Sequence, residues 1–317
     1  MKKDINFAAF IMTYKRVSIL ETTIEKILNQ TYPPQKIVVV DNDPEKSASV
    51  VISKFPNHLI SYHAVGYNSG PAGAANAGLE ILIKEGYQWI GWMDDDDPPV
   101  FENTFEILLQ TAIANEKCGC VGTVGQYFNK KNGLMVRVAD SELEGSGTLT
   151  VDNIAGGMCK IVNAAVCTKA NVFPDSSLFY GFEELDFDIR LQRAGYVLLV
   201  DKELYKKHRV YYNRVGLHYV RGLKKDMNRL WREYYSTRNS LIILWKNDYY
   251  QALSISFFRF FIKLFTSFRY GLRYGIITFR IIIKAVLNFL IGKRGLIKFI
   301  IILTSSMGKL KSIRWVK

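Results

Sequence analysis

Apolar positions follow two alternating rhythms along the first half of the chain. Phe7 to Met12 and Lys36 to Val40 are short runs rich in β-branched and aromatic residues, and between them Val17 to Asn29 places Val17, Leu20, Ile24, Ile27 and Leu28 at helical spacing. The first rhythm suits buried strands and the second a helix with one apolar face. Ile60 to Ala64 reads as a third strand, Gly73 to Glu85 as a second helix, and Tyr87 to Met93 as a fourth strand. Strands alternating with helices of this length predict an α/β fold, its parallel sheet covered on both faces through right-handed crossovers. Pro98-Pro99 then stop the chain and open a helix from about Val100 to Ala114. From Cys118 to Cys167 the pattern turns strand-rich and irregular, broken by Gly145, Gly147, Gly156 and Gly157, which reads as an inserted region. Helices at about Glu183 to Ala194 and Leu223 to Trp245 close the folded unit, and no internal repeat is visible.

Charge divides the chain differently. The last acidic residue is Asp248, and residues 249–317 hold 13 Lys+Arg, so the whole formal net charge of +13 sits in the tail. An asymmetry of this kind points to a segment that meets a polyanion. The chain is long enough at 317 residues to bury a core without disulfides, and Cys118, Cys120, Cys159 and Cys167 lack metal-site spacing, so they read as reduced and structural. Met1-Lys2-Lys3 before Ile5 to Met12 resembles a signal peptide only superficially, because the apolar run is short, carries Asn6 and lacks a cleavage site. A first strand is expected instead, with the folded part on the cytoplasmic side.

The chemistry concentrates where the fourth strand ends. Asp94 to Asp97 follow directly on Trp89-Ile90-Gly91-Trp92-Met93. Carboxylates this dense repel one another, and burying one unpaired is costly, so a run at the end of a strand should face a cation. Hard oxygen ligands suit Mg²⁺ or Mn²⁺, which fill their remaining positions with water and substrate phosphates. The carboxyl ends of strands are also where open α/β sheets bind ligands. Val38-Val39-Val40-Asp41-Asn42-Asp43 places further acid and amide groups at such an end, suited either to a base or ribose or to an ordinary turn. Tyr67 to Gly78 is rich in small residues and holds Asn68 and Asn76, which suits close helix packing as well as close approach to a ligand. Glu183, Glu184 and Asp186 open a helix, where acidic side chains are favoured by the dipole and where one of an adjacent pair can serve as a general base. His208 and His218 lie downstream, and with the aspartate run they make a mixed oxygen and nitrogen site.

Taken in order, Thr13-Tyr14-Lys15-Arg16, Val39 to Asp43, Asn68 through Gly78, Trp92 to Asp96, Glu183-Glu184-Leu185-Asp186 with Arg190, and His208 resemble the inverting glycosyltransferases of family 2. The resemblance covers about residues 5 to 245 and implies a GT-A fold, a Rossmann-like mixed sheet with helices on both faces. It implies that Thr13, Arg16, Asp41 and Asn68 line a nucleotide pocket together with Asp94 and Asp95, and that Asp96, Asp94 and His208 serve the metal, Mn²⁺ or Mg²⁺. Glu184 then matches the base, although the family usually has aspartate at that second position, which keeps Asp186 as a rival and Glu183 beside it. Arg232, Tyr234, Tyr235, Arg238 and Asn239 resemble the Tyr-Tyr-x-x-Arg-Asn segment of the bacterial polysaccharide members. The donor implied is a nucleotide-diphosphate sugar, with a lean to UDP-sugars and with UDP-galactofuranose, UDP-hexopyranoses and dTDP-rhamnose all open. The acceptor implied is a hydroxyl of a lipid-linked oligosaccharide in cell-surface polysaccharide synthesis.

Two units are expected, a catalytic domain over residues 1–245 and a basic, apolar helical region over 246–317. Tyr249 to Ser305 has no charge-free stretch of the ~18–20 residues that a spanning helix normally needs. Arg259, Lys263, Arg273, Arg280 and Lys284 recur near helical period, as one cationic stripe on an apolar helix. That pattern suits a peripheral or monotopic segment on the anionic cytoplasmic face of the cell membrane. Nucleic acid is a poorer partner for an isoleucine-rich surface. Two other functions stay open on sequence alone: a different metal-dependent nucleotidyltransferase, or a non-catalytic nucleotide-binding membrane protein.

Overall fold

The structure is a computed structural model that describes residues 5–155, 157, 159–217 and 224–297, together with the backbone of the short strands Phe299–Ile300 and Trp315–Val316. The chain begins β1 (Phe7–Thr13), α1 (Val17–Leu28), β2 (Ile37–Asp41), α2 (Ser49–Ile52), β3 (Ile60–Ala64), α3 (Gly70–Lys84), β4 (Trp89–Asp94) and α4 (Thr104–Ile113). A strand-rich stretch follows: β5 (Cys118–Gly122), β6 (Gly125–Asn129), β7 (Leu134–Arg137), β8 (Thr148–Val151), β9 (Asn153–Ile154) and β10 (Lys160–Asn163). The remainder is α5 (Ala164–Ala170), α6 (Glu183–Arg193), β11 (Val197–Asp201), α7 (Lys202–Tyr211), α8 (Trp231–Lys246), α9 (Tyr250–Thr266) and α10 (Leu272–Leu290).

One sheet of eight strands runs in the order β3-β2-β1-β4-β10-β5-β11-β8, and a smaller one in the order β7-β6-β9. The first four strands are parallel, as their alternation with helices requires. The sheet is mixed beyond them, because β10 runs antiparallel to both β4 and β5, and β8 antiparallel to β11. This reversal brings the chain before Lys160 back to the edge where β4 ends.

Burial explains the strand sequences. In β1, Ala8, Phe10 and Met12 enter one core with the α3 residues Ala74, Ala75 and Leu79, while Phe7, Ala9 and Ile11 enter a second core with the α1 and α4 residues Leu20, Ile24 and Phe105. A strand covered on both faces needs apolar residues throughout rather than alternation. Pairing then fixes the functional edge: Thr13 is opposite Asp41, Asp41 opposite Ala64, and Met12 opposite Asp94. All four loops leave the sheet on the same side.

Several boundaries differ from expectation. Helix α3 starts at Gly70, three residues early, because Pro71 serves the first turn, where a missing N–H costs nothing. Helix α4 starts at Thr104, since residues after the two prolines form a turn first. Helix α8 starts at Trp231; Leu223, where it was expected, lies outside the described residues, as does His218. The single cationic stripe is also corrected. A 3-10 turn at Ser267–Tyr270 and Gly271 divide the tail into two helices, with Arg259 and Lys263 on α9 and Arg273, Arg280 and Lys284 on α10. Arg259 donates to the Asn132 carbonyl and Lys263 pairs with buried Glu233, so both of these cations are engaged by the folded protein. Both helices pack on α8 and on each other.

Candidate active site

The loop after β1 ties down the centre of the aspartate run. Thr13 Oγ1 donates to Asp95 Oδ2 at 2.7 Å, Thr23 Oγ1 to the Asp95 carbonyl at 2.7 Å, and the Arg16 guanidinium to Asp95 Oδ1 at 3.1 Å and also to Asp96. Asp95 is thus buried and bonded, Asp96 is exposed, and Asp94 and Asp97 are half-buried. Arg16 is therefore one cation that the run faces, shared by two of its four carboxylates.

The other two keep a surplus of negative charge. Burial raises Asp94 to about 7, with Glu184, Asp96, Asp95 and Asp97 adding repulsion; burial and then Asp96 raise Asp97 to about 6, against the pull of Arg214. Gly157, on the segment leading into β10, lies against both. A Cβ there would stand 2.8 Å from Asp97 Oδ2 and 3.1 Å from Asp94 Oδ2.

The loops after β2 and β3 build one another. Asp41 is fully buried and accepts from Asp43 N–H at 2.7 Å, Ala48 N–H at 3.2 Å and the Tyr62 hydroxyl at 2.8 Å. Asn68 Oδ1 accepts from Gly70 N–H at 3.0 Å, and Asn42 bridges to the Gly70 carbonyl and to Ser69. Gly70 in turn lies so close to the Phe179 carbonyl that any side chain would collide with it. The β3–α3 loop and the loop before α6 are thereby in direct contact.

That second loop delivers the acids of α6. Phe179 and Phe182 sit at φ +64° and +68°, conformations that cost about 1–2 kcal/mol each outside glycine. Glu183 is buried; burial and then Glu184 push its carboxyl well above the ordinary range, and its Oε2 finds no hydrogen-bond partner among the described residues. Glu184 is half-buried and close enough to Asp94 to raise it. Asp186 is fully buried and accepts from Arg190 at 2.9 Å, one helical turn on, while Arg190 also donates to the Phe173 carbonyl.

His208 on α7 is buried with its ring 4.7 Å from that of Tyr212. Burial, then the charge of Arg214, lowers it to about 4, so its imidazole is neutral at physiological pH. Arg214 also acts on Asp97, so His208 and Asp97 share one cationic neighbour.

The structure therefore gathers Thr13, Arg16, Asp94, Asp95, Asp96 and Glu184 at one edge and gives Asp186 a salt bridge of its own. The donor chemistry suits a hard divalent cation, since Asp94 and Asp97 are raised by burial and by the repulsion of neighbouring carboxylates. Among the described residues no three His, Cys, Asp or Glu side chains converge as a ready ligand set. An ion here would take one or two of the carboxylates and leave most of its shell to phosphate oxygens and water, the usual habit of Mg²⁺.

Sequence reasoning missed the layer beneath. Lys160 and Asp188 are both fully buried, with Nζ 2.5 Å from Asp188 Oδ1, 3.2 Å from the Ile154 carbonyl, and 5.0 Å from the ring centres of Trp92 and Phe187. Burial lifts Asp188 to about 6, still ionised at neutral pH; the same burial pulls the Lys160 amine down, and Asp188 more than restores it. The signal was present as one lysine heading the apolar run Ile161-Val162 and one aspartate four residues after Glu184, on the same helix face.

Comparison with known proteins bears on the family and the fold. Residues 8–158 match the glycosyl transferase family 2 model. The chain is 25% identical over 198 residues to galactofuranosyltransferase GlfT1 of Mycolicibacterium smegmatis, a match covering 59% of this chain and 65% of that relative's length. It is 25% identical over 262 residues to dTDP-rhamnosyl transferase RfbF of Shigella flexneri, covering 79% of this chain and 83% of the relative. Among solved structures, mannosyltransferase PcManGT of Pyrobaculum calidifontis, in complex with GDP-Man and Mn²⁺, superposes with a TM-score of 0.50 at 11% identity, over 92% of this chain and 89% of that one.

Proposed function

Because this chain is a glycosyltransferase with a family 2 domain on a GT-A-type fold, we propose that it transfers a sugar, with inversion, from a nucleotide diphosphate to a hydroxyl of a lipid-linked glycan. The observation that carries the reading is that Glu184 on α6 lies close enough to Asp94 at the end of β4 for its charge to raise Asp94, so that two different elements bring carboxylates to one edge of the sheet. Thr13, Arg16, Asp41, Asn68, Asp94 and Asp95 are assigned to the nucleotide side. Asp94, Asp96 and His208 would hold Mn²⁺ or Mg²⁺, which when bound neutralises the departing diphosphate. Names of relatives that act on galactofuranose and on dTDP-rhamnose favour those two donors.

Glu184 is assigned as the base. Its carboxylate takes the proton of the acceptor hydroxyl as that oxygen bonds to the anomeric carbon, and the bond from that carbon to the diphosphate oxygen breaks on the opposite face. Asp186 is less suited, because Arg190 already neutralises it. Turnover by Glu184→Gln is expected to fall about 10³-fold with donor binding retained. Near-normal turnover would remove Glu184 from this role and promote Asp186.

The tail is assigned to the membrane surface. Phe258, Phe261, Phe265, Leu272, Leu290 and Ile291 are exposed on a pair of helices without a single acid, which suits contact with acyl chains beneath anionic headgroups. None of the described helices is long and apolar enough to cross a bilayer. The exposed apolar side chains of this basic, acid-free pair support our assignment of the enzyme to the cytoplasmic face of the cell membrane as a peripheral or monotopic protein.

A further inference from the structure

Two fully buried polar side chains of α8, Arg238 and Asn239, are spent on backbone that leads to Glu184. Asn239 Nδ2 shares its two hydrogens among three carbonyls of one loop, Leu178 at 3.0 Å, Tyr180 at 3.0 Å and Gly181 at 2.9 Å. Its Oδ1 accepts from Arg238 Nε at 3.0 Å, which fixes the orientation of the amide. Arg238 adds a second hold on the Leu178 carbonyl at 2.8 Å and reaches the Gly295 carbonyl at 2.9 Å, with its guanidinium over the rings of Tyr234 and Tyr235. Gly295 closes the circuit by donating its N–H to the Ser177 carbonyl at 2.7 Å. A guanidinium surrounded by carbonyls and aromatic faces is an expensive way to fill a core. The loop it grips is the one with Phe179 and Phe182 in left-handed conformations, and that loop touches Gly70 on the nucleotide side before turning into α6.

We propose that Arg238 and Asn239 are positioning residues: they set the strained entry into α6 and so place the Glu184 carboxylate relative to the donor. The proposal rests on Glu184 being the base. A displacement of about 1 Å in a reacting group can cost about 100-fold in rate without weakening substrate binding.

The test uses the full-length protein with vesicles and compares Asn239→Ala, Arg238→Lys and Glu184→Gln. Transfer from UDP-galactofuranose, or from dTDP-rhamnose if that is the donor turned over, is measured alongside binding of UDP with Mn²⁺. Asn239→Ala and Arg238→Lys are expected to lower kcat about 30- to 100-fold with UDP affinity within threefold of the parent, and adding Asn239→Ala to Glu184→Gln is expected to cost nothing further. Unchanged kcat in a folded variant, or kcat and UDP affinity falling together, overturns the proposal. So does a double variant in which the two losses multiply. If Asn239→Ala fails to fold, Arg238→Lys, which keeps the charge, decides on the same criteria. A normal rate for Glu184→Gln sinks the base assignment instead, whatever the α8 variants do.

Discussion

The two charged layers under α6 are built on opposite terms. Below, Lys160 and Asp188 form a closed account, one cation against one anion, bonded to each other and to the Ile154 backbone and capped by Trp92 and Phe187. Above, four successive carboxylates, Asp94 to Asp97, crowd together with Arg16 bonded to Asp95 and Asp96 and Arg214 acting on Asp97, and Glu184 adds its charge at Asp94. A pair that cancels its charge serves the fold, whereas a cluster that does not leaves work for a ligand. The same helix carries both, with Glu184 and Asp188 one turn apart on one face.

The sharpest way to break this contrast is to neutralise one member of each layer. Asp94→Asn is expected to lower turnover about 10³-fold, ~4 kcal/mol of transition-state stabilisation, and to raise the melting temperature of the metal-free protein by relieving repulsion. Activity and thermal melts on the same sample check both, and a less stable variant would place Asp94 in the structural layer. Lys160→Met should do the reverse, lowering stability by about 3 kcal/mol because it strands Asp188 without its partner; a denaturant titration measures it. A loss well below 1 kcal/mol would show that the pair is not what anchors α6.

The smallest expected effect is in pH. Asp94 and Asp97 titrate near 7 and near 6 in the folded chain but at ordinary carboxyl values when unfolded. Between about pH 4 and 7 the folded state therefore binds more protons, and these two groups make stability fall as pH rises. His208, held near 4, acts in the opposite sense below about 6.5. The clean window is pH 6.5 to 8, where the metal-free melting temperature should drop by a few degrees and Mn²⁺ should restore it. A melting temperature that rises across that window would remove the surplus charge from the account.

What the sequence made legible follows from where each interaction lies. Strands and helices of the first half could be read because Phe7, Phe10, Leu20 and Ile24 reach their cores by local periodicity alone. Asp94, Glu184 and His208 could be picked out because a run of acids, an acid pair at a helix start and a histidine in a basic stretch stand out in one dimension. The pairing of Asp188 could not, since its partner lies 28 residues away on an antiparallel strand whose direction no local pattern announces. The contact of Arg238 with Leu178 spans 60 residues and is equally silent. The break at Ser267–Tyr270 escaped notice because the cationic positions kept a helical period across it.

Gly157 has a consequence for anyone wishing to redirect this enzyme to another sugar. The crossing into β10 passes so near Asp94 and Asp97 that the space a methyl group would need is the space the carboxylates require for whatever they hold. Libraries that vary this crossing to reshape donor choice should keep a bare backbone at position 157 and diversify elsewhere along the pocket wall.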